Sequence, residues 1–352
     1  MTLSEISIYR LLNQQLAETN LKTSADAVHW LGAVQAQEYA QTKWGLGLRL
    51  PHLLDADIEK EFTDGKILRT HLLRPTWHFV TAKDIRWMLM LTAPRVNAVN
   101  AYMHRKLELN KSIFDRCNKI IIKKLEGGNQ LTREEINDEF KKHKIMATGH
   151  RLSYLMMDAE LSGLICSGPR KGNQFTYALL DERVTQNLTL NYDEALSELT
   201  KRYFLSRGPA TVIDFSTWSG LTIGECKKGL SLMKEFFEKV IVEGKEYYFK
   251  NTISSIPKII REIYLLPIYD EFIMGYKDRS ASFEFKKSLN ITNPAQYDCM
   301  IVYEGQIIGT WKRTLKQKSI DIDYKLFSPL NKNQTKEFQK AIIRLEKFHQ
   351  IK

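Results

Sequence analysis

The sequence lacks the cysteine patterns that hold metals or disulfide frameworks. Its few cysteines lie far apart and form no Cys-x-x-Cys pair: Cys117, Cys166, Cys226 and Cys299. A zinc site or a disulfide-stabilised fold is therefore not expected. The Gly-x-Gly-x-x-Gly, Walker and His-Glu-x-x-His motifs are also absent, which removes the usual support for nucleotide binding or for a zinc protease.

Targeting segments and long apolar runs are missing as well. The first five residues have neither a basic start nor an apolar core, so no signal peptide is predicted. No apolar run approaches the thickness of a bilayer. We therefore expect a cytoplasmic, reduced and soluble protein with no membrane partner, and we expect a monomer.

Negative charge is in short supply. The 352 residues include 52 Lys and Arg against 41 Asp and Glu, a formal net charge of +11. The excess is concentrated in Lys111–Lys171 and Lys312–Lys352. A basic surface favours a polyanionic partner, with nucleic acid ahead of an anionic membrane.

A pattern of three helices and a hairpin recurs along the chain, and its middle copy is the clearest. The capping box Thr132-x-x-Glu135 opens the second helix of that copy. The other predicted elements of the copy are helices over Ser112–Glu126 and His150–Gly163 and strands over Leu164–Ser167 and Gln174–Leu180. This order is typical of a winged helix, which is a helix-turn-helix followed by a β-hairpin.

Two more copies are predicted on the same grounds. The later copy has helices over Asp193–Ser206, Thr211–Trp218 and from the capping box Thr222-x-x-Glu225 to about Phe237, then strands over Val240–Val242 and Tyr247–Phe249. The N-terminal copy has helices over Leu3–Glu18, Ser24–Val34 and Asp55–Phe62, and strand-like residues over Ile67–Val80. A helix over Lys83–Leu109, kinked or divided at Pro94, joins it to the middle copy.

The predicted fold class is α+β, mainly α, with three tandem winged helix-turn-helix repeats and a β-rich C-terminal segment. The predicted domains are 1–110, 111–188, 189–254 and 255–352. The last of these has strands over Tyr264–Ile268, Cys299–Tyr303, Ile307–Trp311 and Ser319–Leu326 and a basic helix over Thr335–Phe348. Tandem winged helices usually bind duplex nucleic acid.

Gln35 and Gln37 are the first candidates for chemistry. Residues two apart share a side of an extended chain but not of a helix, so a joint site requires the preceding helix to end or distort. Two amides aimed at one point can hold a water or a polar group, although amides do not titrate. The alternative is a pair of hydrogen-bonded core residues.

Arg74, Thr76 and His78 alternate along a predicted strand and would share one face. They would meet a phosphate, support the site, or simply face solvent while Trp77 and Phe79 supply the core face. Asp270, beside Glu271, would serve either in acid–base work or in an Asp–Arg pair that fixes its loop.

The predicted phosphate contacts are basic residues of the middle copy and of the C-terminal segment. They are Lys144, Arg151, Arg170, Lys171, Lys312, Arg313, Lys316 and Lys318. At the tip of the middle wing, Arg170 and Lys171 either contact phosphate or belong to a solvated turn.

The order of motifs resembles the AlkZ-like DNA glycosylases, a bacterial family of tandem winged-helix proteins. The motifs that carry the resemblance are Gln35-Ala36-Gln37, Leu73–His78, Gly149–Arg151, Leu266–Glu271, Gly275–Arg279 and Gly309–Arg313. The resemblance implies excision of alkylated or crosslinked N7-modified purines from duplex DNA. It also implies catalytic roles for Gln35 and Gln37, and it implies no metal or cofactor.

Two other functions remain open from the sequence. A non-catalytic DNA-binding protein, either a regulator or an architectural protein, would use the same basic surface with its glutamines in the core. An RNA-binding factor would rest on charge alone.

Overall fold

The computed structural model describes residues 1–185, 188–251, 260–283, 299–316 and 319–350. Over these residues the chain is a mixture of helices and small antiparallel sheets, as the α+β prediction requires. The helices are α1 (Leu3–Asn13), α2 (Ser24–Leu31), α3 (Tyr39–Arg49), α4 (Asp55–Thr63), α5 (Ile85–Lys106), α6 (Lys111–Leu125), α7 (Arg133–Lys142), α8 (His150–Leu161), α9 (Leu180–Arg183), α10 (Tyr192–Arg207), α11 (Val212–Ser219), α12 (Ile223–Leu232), α13 (Glu271–Met274) and α14 (Lys332–Phe348).

The strands are short, and those of the C-terminal segment include the longest. They are β1 (Val34–Gln35), β2 (Ile67–Leu72), β3 (Thr76–Thr81), β4 (Leu131–Thr132), β5 (Ile165–Ser167), β6 (Thr176–Leu179), β7 (Glu238–Val242), β8 (Lys245–Phe249), β9 (Ile263–Leu266), β10 (Cys299–Tyr303), β11 (Gln306–Leu315) and β12 (Ile320–Leu326).

The chain separates into two compact units. The first unit contains Met1–Ile58, Ser197–Trp218 and Thr222–Lys352, and the second contains Glu59–Leu196 and Ser219–Leu221. The four-part division predicted from the sequence is finer, and it stays a prediction.

In the second unit, α6, α7 and α8 pack around one apolar core beside a small sheet. The strand order is β4-β6-β5, and β6 pairs antiparallel with both neighbours. Both halves of the predicted capping box form, since Thr132 and Glu135 each accept from the other's backbone N–H. Apolar residues at helical spacing fill the core, among them Cys117, Ile121 and Leu155. The middle copy therefore has the predicted elements in the predicted order.

The second unit also contains the hairpin of β2 and β3 and the long helix α5. Thr70 pairs with His78 in the antiparallel register of the hairpin. Pro94 lies inside α5 without dividing it, so of the two predicted effects the division is wrong and the kink stays a prediction. Throughout the described ranges, no helix is both long enough and apolar enough to cross a bilayer.

The first unit contains a four-stranded antiparallel sheet in the order β12-β11-β10-β9. Two buried tryptophans tie their indole N–H groups to strand β9, Trp44 to the Leu265 carbonyl at 2.7 Å and Trp311 to the Leu266 carbonyl at 2.9 Å. The sheet therefore contacts α3, the helix that follows β1 after three intervening residues.

Three helices of the first unit end earlier than their sequence pattern predicts. Helix α1 ends at Asn13 and not Glu18, α2 ends at Leu31 and not Val34, and α12 ends at Leu232 and not Phe237. After α1 the backbone of Gln15 turns left-handed, at φ 58°, and after α2 that of Gly32 does so at φ 77°. These turns end the helices although the apolar pattern continues beyond them.

Candidate active site

The Gln-x-Gln segment follows the end of α2 and is not helical. Gly32 at φ 77° turns the chain, β1 carries Gln35 in an extended conformation, and Gln37 lies in a bend before α3. The helix therefore ends where a joint site for the two amides requires it to end. Gln35 is 5% exposed, and Gln37 is partly exposed.

A buried carboxylate holds the backbone of Gln35. The Gln35 backbone N–H donates to Glu271 Oε1 at 2.8 Å. Glu271 Oε2 accepts from Arg207 Nη2 at 2.6 Å and from Trp218 Nε1 at 2.9 Å. We call Glu271, Arg207 and Trp218 the clamp.

The arginine of the clamp holds the other end of the same turn. Arg207 Nη1 donates to the Leu31 carbonyl at 2.6 Å, and Arg207 Nη2 donates to the Ala33 carbonyl at 3.2 Å. The Arg207 and Glu271 side chains are both fully buried. The clamp thus contacts the chain at three backbone points between the end of α2 and the first glutamine.

Asp270 lies beside the clamp and forms a structural ion pair. Its two carboxylate oxygens accept from Arg49 Nη1 at 2.9 Å and Nη2 at 3.0 Å. Asp270 Oδ1 also accepts from the Phe272 backbone N–H at 2.8 Å and so caps α13. Asp270 therefore forms an Asp–Arg pair with Arg49 as partner, and its predicted role in supporting the site stays a prediction.

Two buried phenols complete the packing behind the clamp. The Tyr276 hydroxyl donates to the Arg207 carbonyl at 2.9 Å, and the Tyr203 hydroxyl donates to the Gly275 carbonyl at 2.8 Å. Burial raises the pKa of Tyr276 to about 12 and that of Tyr203 well above its usual value. Both hydroxyls therefore stay protonated as donors at neutral pH.

Arg74, Thr76 and His78 belong to the second unit, in and after the turn between β2 and β3. Arg74 and Thr76 are partly exposed, whereas His78 is fully buried. The ring Nδ1 of His78 lies 2.9 Å from the carbonyl of Thr76. The alternative in which all three face solvent is therefore wrong for His78, and a role in supporting the site stays a prediction.

The predicted phosphate contacts of the second unit differ in exposure. Lys144 and Lys171 are exposed, and Lys171 Nζ lies 2.7 Å from Glu135 Oε1. Arg151 is partly buried, since it donates to the Leu107 carbonyl, and Arg170 is partly buried at 3.5 Å from Glu59. Lys144 and Lys171 are thus the most accessible of these cations.

Of those in the first unit, Lys312 and Arg313 lie on β11 and Lys316 follows its last residue. Lys312 and Lys316 are exposed, and Lys316 pairs with Asp321. Arg313 Nη1 lies 2.7 Å from His349 Nε2. Burial, ahead of the nearby Arg313 charge, lowers the pKa of His349 to about 4, so this ring is neutral and accepts from the guanidinium at pH 7. Lys318 lies outside the described residues.

In the described part of the chain, no three or more His, Cys, Asp or Glu side chains lie together so that they could hold a metal ion. The side chains of Gln35 and Gln37 themselves offer amide groups. Such groups orient a water or a substrate and do not transfer protons as strong acids or bases.

The comparisons with known proteins agree with one another. The sequence model of the family described as DNA glycosylase AlkZ-like matches residues 28–348. A curated relative, the interstrand DNA cross-link repair glycosylase of Streptomyces sahachiroi, is 22% identical over 325 residues, covering 88% of this chain and 87% of that protein. The solved structure of Streptomyces sahachiroi DNA glycosylase AlkZ matches with a TM-score of 0.82 at 19% identity, over 100% of this chain and 97% of the other.

Because the family match spans nearly the whole chain, the protein belongs to the AlkZ-like DNA glycosylase family. The resemblance drawn from the order of motifs is thereby confirmed, and so is the enzyme class, a DNA glycosylase that hydrolyses N-glycosyl bonds. At 19% identity the structural likeness shows the shared fold alone. The matched range contains both glutamines and all three residues of the clamp.

Proposed function

We propose that the protein hydrolyses the N-glycosidic bond of N7-alkylated or crosslinked purines in duplex DNA. Gln35 and Gln37 position the attacking water. The observation that carries the proposal is the early end of α2, inside the range matched by the family, which leaves Gln35 on the extended β1 and Gln37 in a bend. Two residues two apart point to nearly opposite faces of a helix, so the end of the helix is what makes a joint site possible.

The chemistry suits amides. An N7-alkylated purine carries a positive charge, so its glycosidic bond is weakened and the base leaves readily. The enzyme then needs to orient a water near the sugar C1′ and stabilise the positive charge that develops there. The amide carbonyl oxygens of the two glutamines orient the water and stabilise the developing charge, without a metal and without a strong general acid.

We propose that duplex DNA is held by three tandem winged helices with the domain boundaries predicted from the sequence. The order α6, β4, α7, α8, β5, β6 supports the middle one, and the order α10, α11, α12, β7, β8 supports the next. Two helices followed by a hairpin is the arrangement that places a recognition helix and a wing on DNA.

The proposed phosphate contacts are the eight basic residues predicted from the sequence. Exposure supports Lys144, Lys171, Lys312 and Lys316, because an exposed ammonium is able to reach a phosphate. Lys171 and Lys316 would exchange their surface pairs with Glu135 and Asp321 for that contact. Arg151 and Arg313 already donate to carbonyl or imidazole groups within the protein. They would have to exchange those partners to contact DNA.

The test is base excision by the purified full-length protein on a duplex that carries a single 7-methylguanine. Abasic sites are scored by alkaline cleavage over time, with an identical unmodified duplex as control. We expect cleavage only at the lesion. Tight duplex binding with no abasic sites, on 7-methylguanine and on an N7-crosslinked duplex alike, would refute excision and favour a non-catalytic DNA-binding protein.

A further inference from the structure

The turn before the Gln-x-Gln segment is contacted by side chains from distant parts of the chain. Strand β1 has only two residues, and the turn begins at a glycine with φ 77°. The backbone hydrogen bonds of Leu31, Ala33 and Gln35 described above go to the side chains of the clamp. Residues about 170 to 240 positions away in the chain therefore help to set the position of the first glutamine, together with Thr42, whose hydroxyl donates to the Gln35 carbonyl at 3.1 Å.

The clamp buries charged groups in a space that apolar side chains would also fill. Removing a carboxylate and a guanidinium from water is unfavourable, and a well-packed apolar replacement is often as stable. An ion pair, however, fixes directions that apolar side chains do not fix. Glu271 has one oxygen for the Gln35 N–H and the other for Arg207 and Trp218, so the carboxylate has a single orientation.

That orientation matters because water-positioning groups must be accurate. A misplacement of about 1 Å can reduce a rate about a hundredfold, and catalytic groups need supporting residues that lock their geometry. A shift of the Glu271 carboxylate would move the Gln35 backbone directly, and with it the Gln35 amide.

We propose that Glu271 is a positioning residue for base excision, which acts through the backbone N–H of Gln35 and is itself oriented by Arg207 and Trp218. The inference rests on the proposed function of the two glutamines. It assigns Glu271 no proton transfer and no contact with the substrate.

The first test compares Glu271→Gln with a matched control. Asp214→Asn alters another fully buried carboxylate of the first unit, which lies 3.9 Å from Arg10 and bonds to Thr211 and to the backbone N–H groups of Lys277 and Asp278. Both variants should melt at a lower temperature. Only Glu271→Gln should slow single-turnover excision per folded molecule, by about tenfold or more, with the duplex Kd unchanged.

A second test measures coupling to Gln35. If Glu271 acts through Gln35, Glu271→Gln should slow the Gln35→Ala variant much less than it slows the wild type. The effects of the two changes on the melting temperature should still add. Effects on excision that multiply fully would show that Glu271 acts by another route and would overturn the proposal.

A milder variant covers the case in which Glu271→Gln does not fold. Trp218→Phe removes one donor to Glu271 Oε2, keeps an aromatic ring beside Arg207 and leaves the ion pair intact. We expect roughly two- to tenfold slower excision per folded molecule. A wild-type rate for Trp218→Phe, with Gln35→Ala slow, overturns the positioning role alone. A wild-type rate for Gln35→Ala instead overturns the proposed function of the glutamines.

Discussion

Replacing the two glutamines separates catalysis from packing because their burial differs. Gln35 is 5% exposed and Gln37 is partly exposed. Loss of one water-orienting hydrogen bond should raise the excision barrier by about 1–3 kcal/mol, which slows excision roughly five- to 150-fold. Gln35→Ala should also destabilise the fold by about 1–3 kcal/mol because it empties a buried polar position. Gln37→Ala should cost less than about 1 kcal/mol.

The assay is single-turnover excision of 7-methylguanine, with the enzyme in excess over a labelled duplex, alongside urea unfolding of each variant. Rates are divided by the folded fraction so that lost stability is not counted as lost catalysis. Duplex affinity, measured on the same variants, should stay near that of the wild type because neither side chain carries charge. The double variant should lose less than the two single losses combined, since both amides act on one water.

The decisive variant is Gln37→Ala, in which little stability is at stake. A folded Gln37→Ala that excises at the wild-type rate would remove Gln37 from the mechanism. If Gln35→Ala then lowered only the melting temperature, both residues would be structural. Full excision by the double variant would refute the role of the Gln-x-Gln segment altogether.

Three further outcomes are expected. A Cβ on Gly47 would lie 2.4 Å from the buried Phe348 ring, so Gly47→Ala should lower the free energy of unfolding by about 1–2 kcal/mol. In α12 a Cβ on Gly224 would lie an unstrained 3.9 Å from Thr222 Oγ1, so Gly224→Ala should leave the free energy of unfolding unchanged or raise it. Lys171→Gln should weaken duplex binding and make the slope of log K against log salt shallower by about 0.9 if that ammonium contacts a phosphate. Burial lowers the pKa of His349 from 6.5 to about 4, so the unfolded chain binds more protons than the folded chain between these pH values. The free energy of unfolding should therefore fall as the pH drops through this window. His349→Gln should reduce the fall by on the order of 1 kcal/mol, measured by urea titrations at pH 4.5 and 7.

Local signals in the sequence predict the local parts of the fold. Both predicted capping boxes form, at Thr132 with Glu135 and at Thr222 with Glu225. The hairpins follow them in the predicted order. Capping and turn formation depend on residues three or four positions apart, so a single sequence is enough to predict them. Helix α3 is not predicted by its sequence pattern, and its two glycines explain why.

In α3 a tertiary requirement overrides helix propensity. Glycine disfavours a helix by about 1 kcal/mol relative to alanine. Yet a Cβ at Gly45 would lie 3.1 Å from Asp270 Oδ2, and one at Gly47 would meet Phe348. The glycines are there for close approach to distant segments, and a single sequence does not show which segments those are.

The candidate site also has a local part that the sequence predicts and a long-range part that it does not predict. The Gln-x-Gln spacing is local, so the sequence alone identifies Gln35 and Gln37 as candidates. Glu271 stands out in the sequence only as the neighbour of Asp270, because its hydrogen bond to the Gln35 backbone joins residues 236 positions apart. Arg207 gives no signal in the sequence, since an arginine near a helix end is usually solvated.

Three buried ion pairs of the first unit include or neighbour the residues of this site, and they limit how the segments of the unit are able to pack. Arg10 with Asp214, Arg49 with Asp270 and Arg207 with Glu271 are all nearly inaccessible to water. Such pairs add little net stability compared with apolar residues of the same volume. They do restrict which segments are able to meet, because a misregistered arginine or carboxylate would be left buried and unpaired. A reaction that relies on two neutral amides has little electrostatic power of its own, so its rate depends on where those amides are held. The buried charges of the clamp therefore take no part in the proposed chemistry directly. They fix the backbone that carries the first of the two amides.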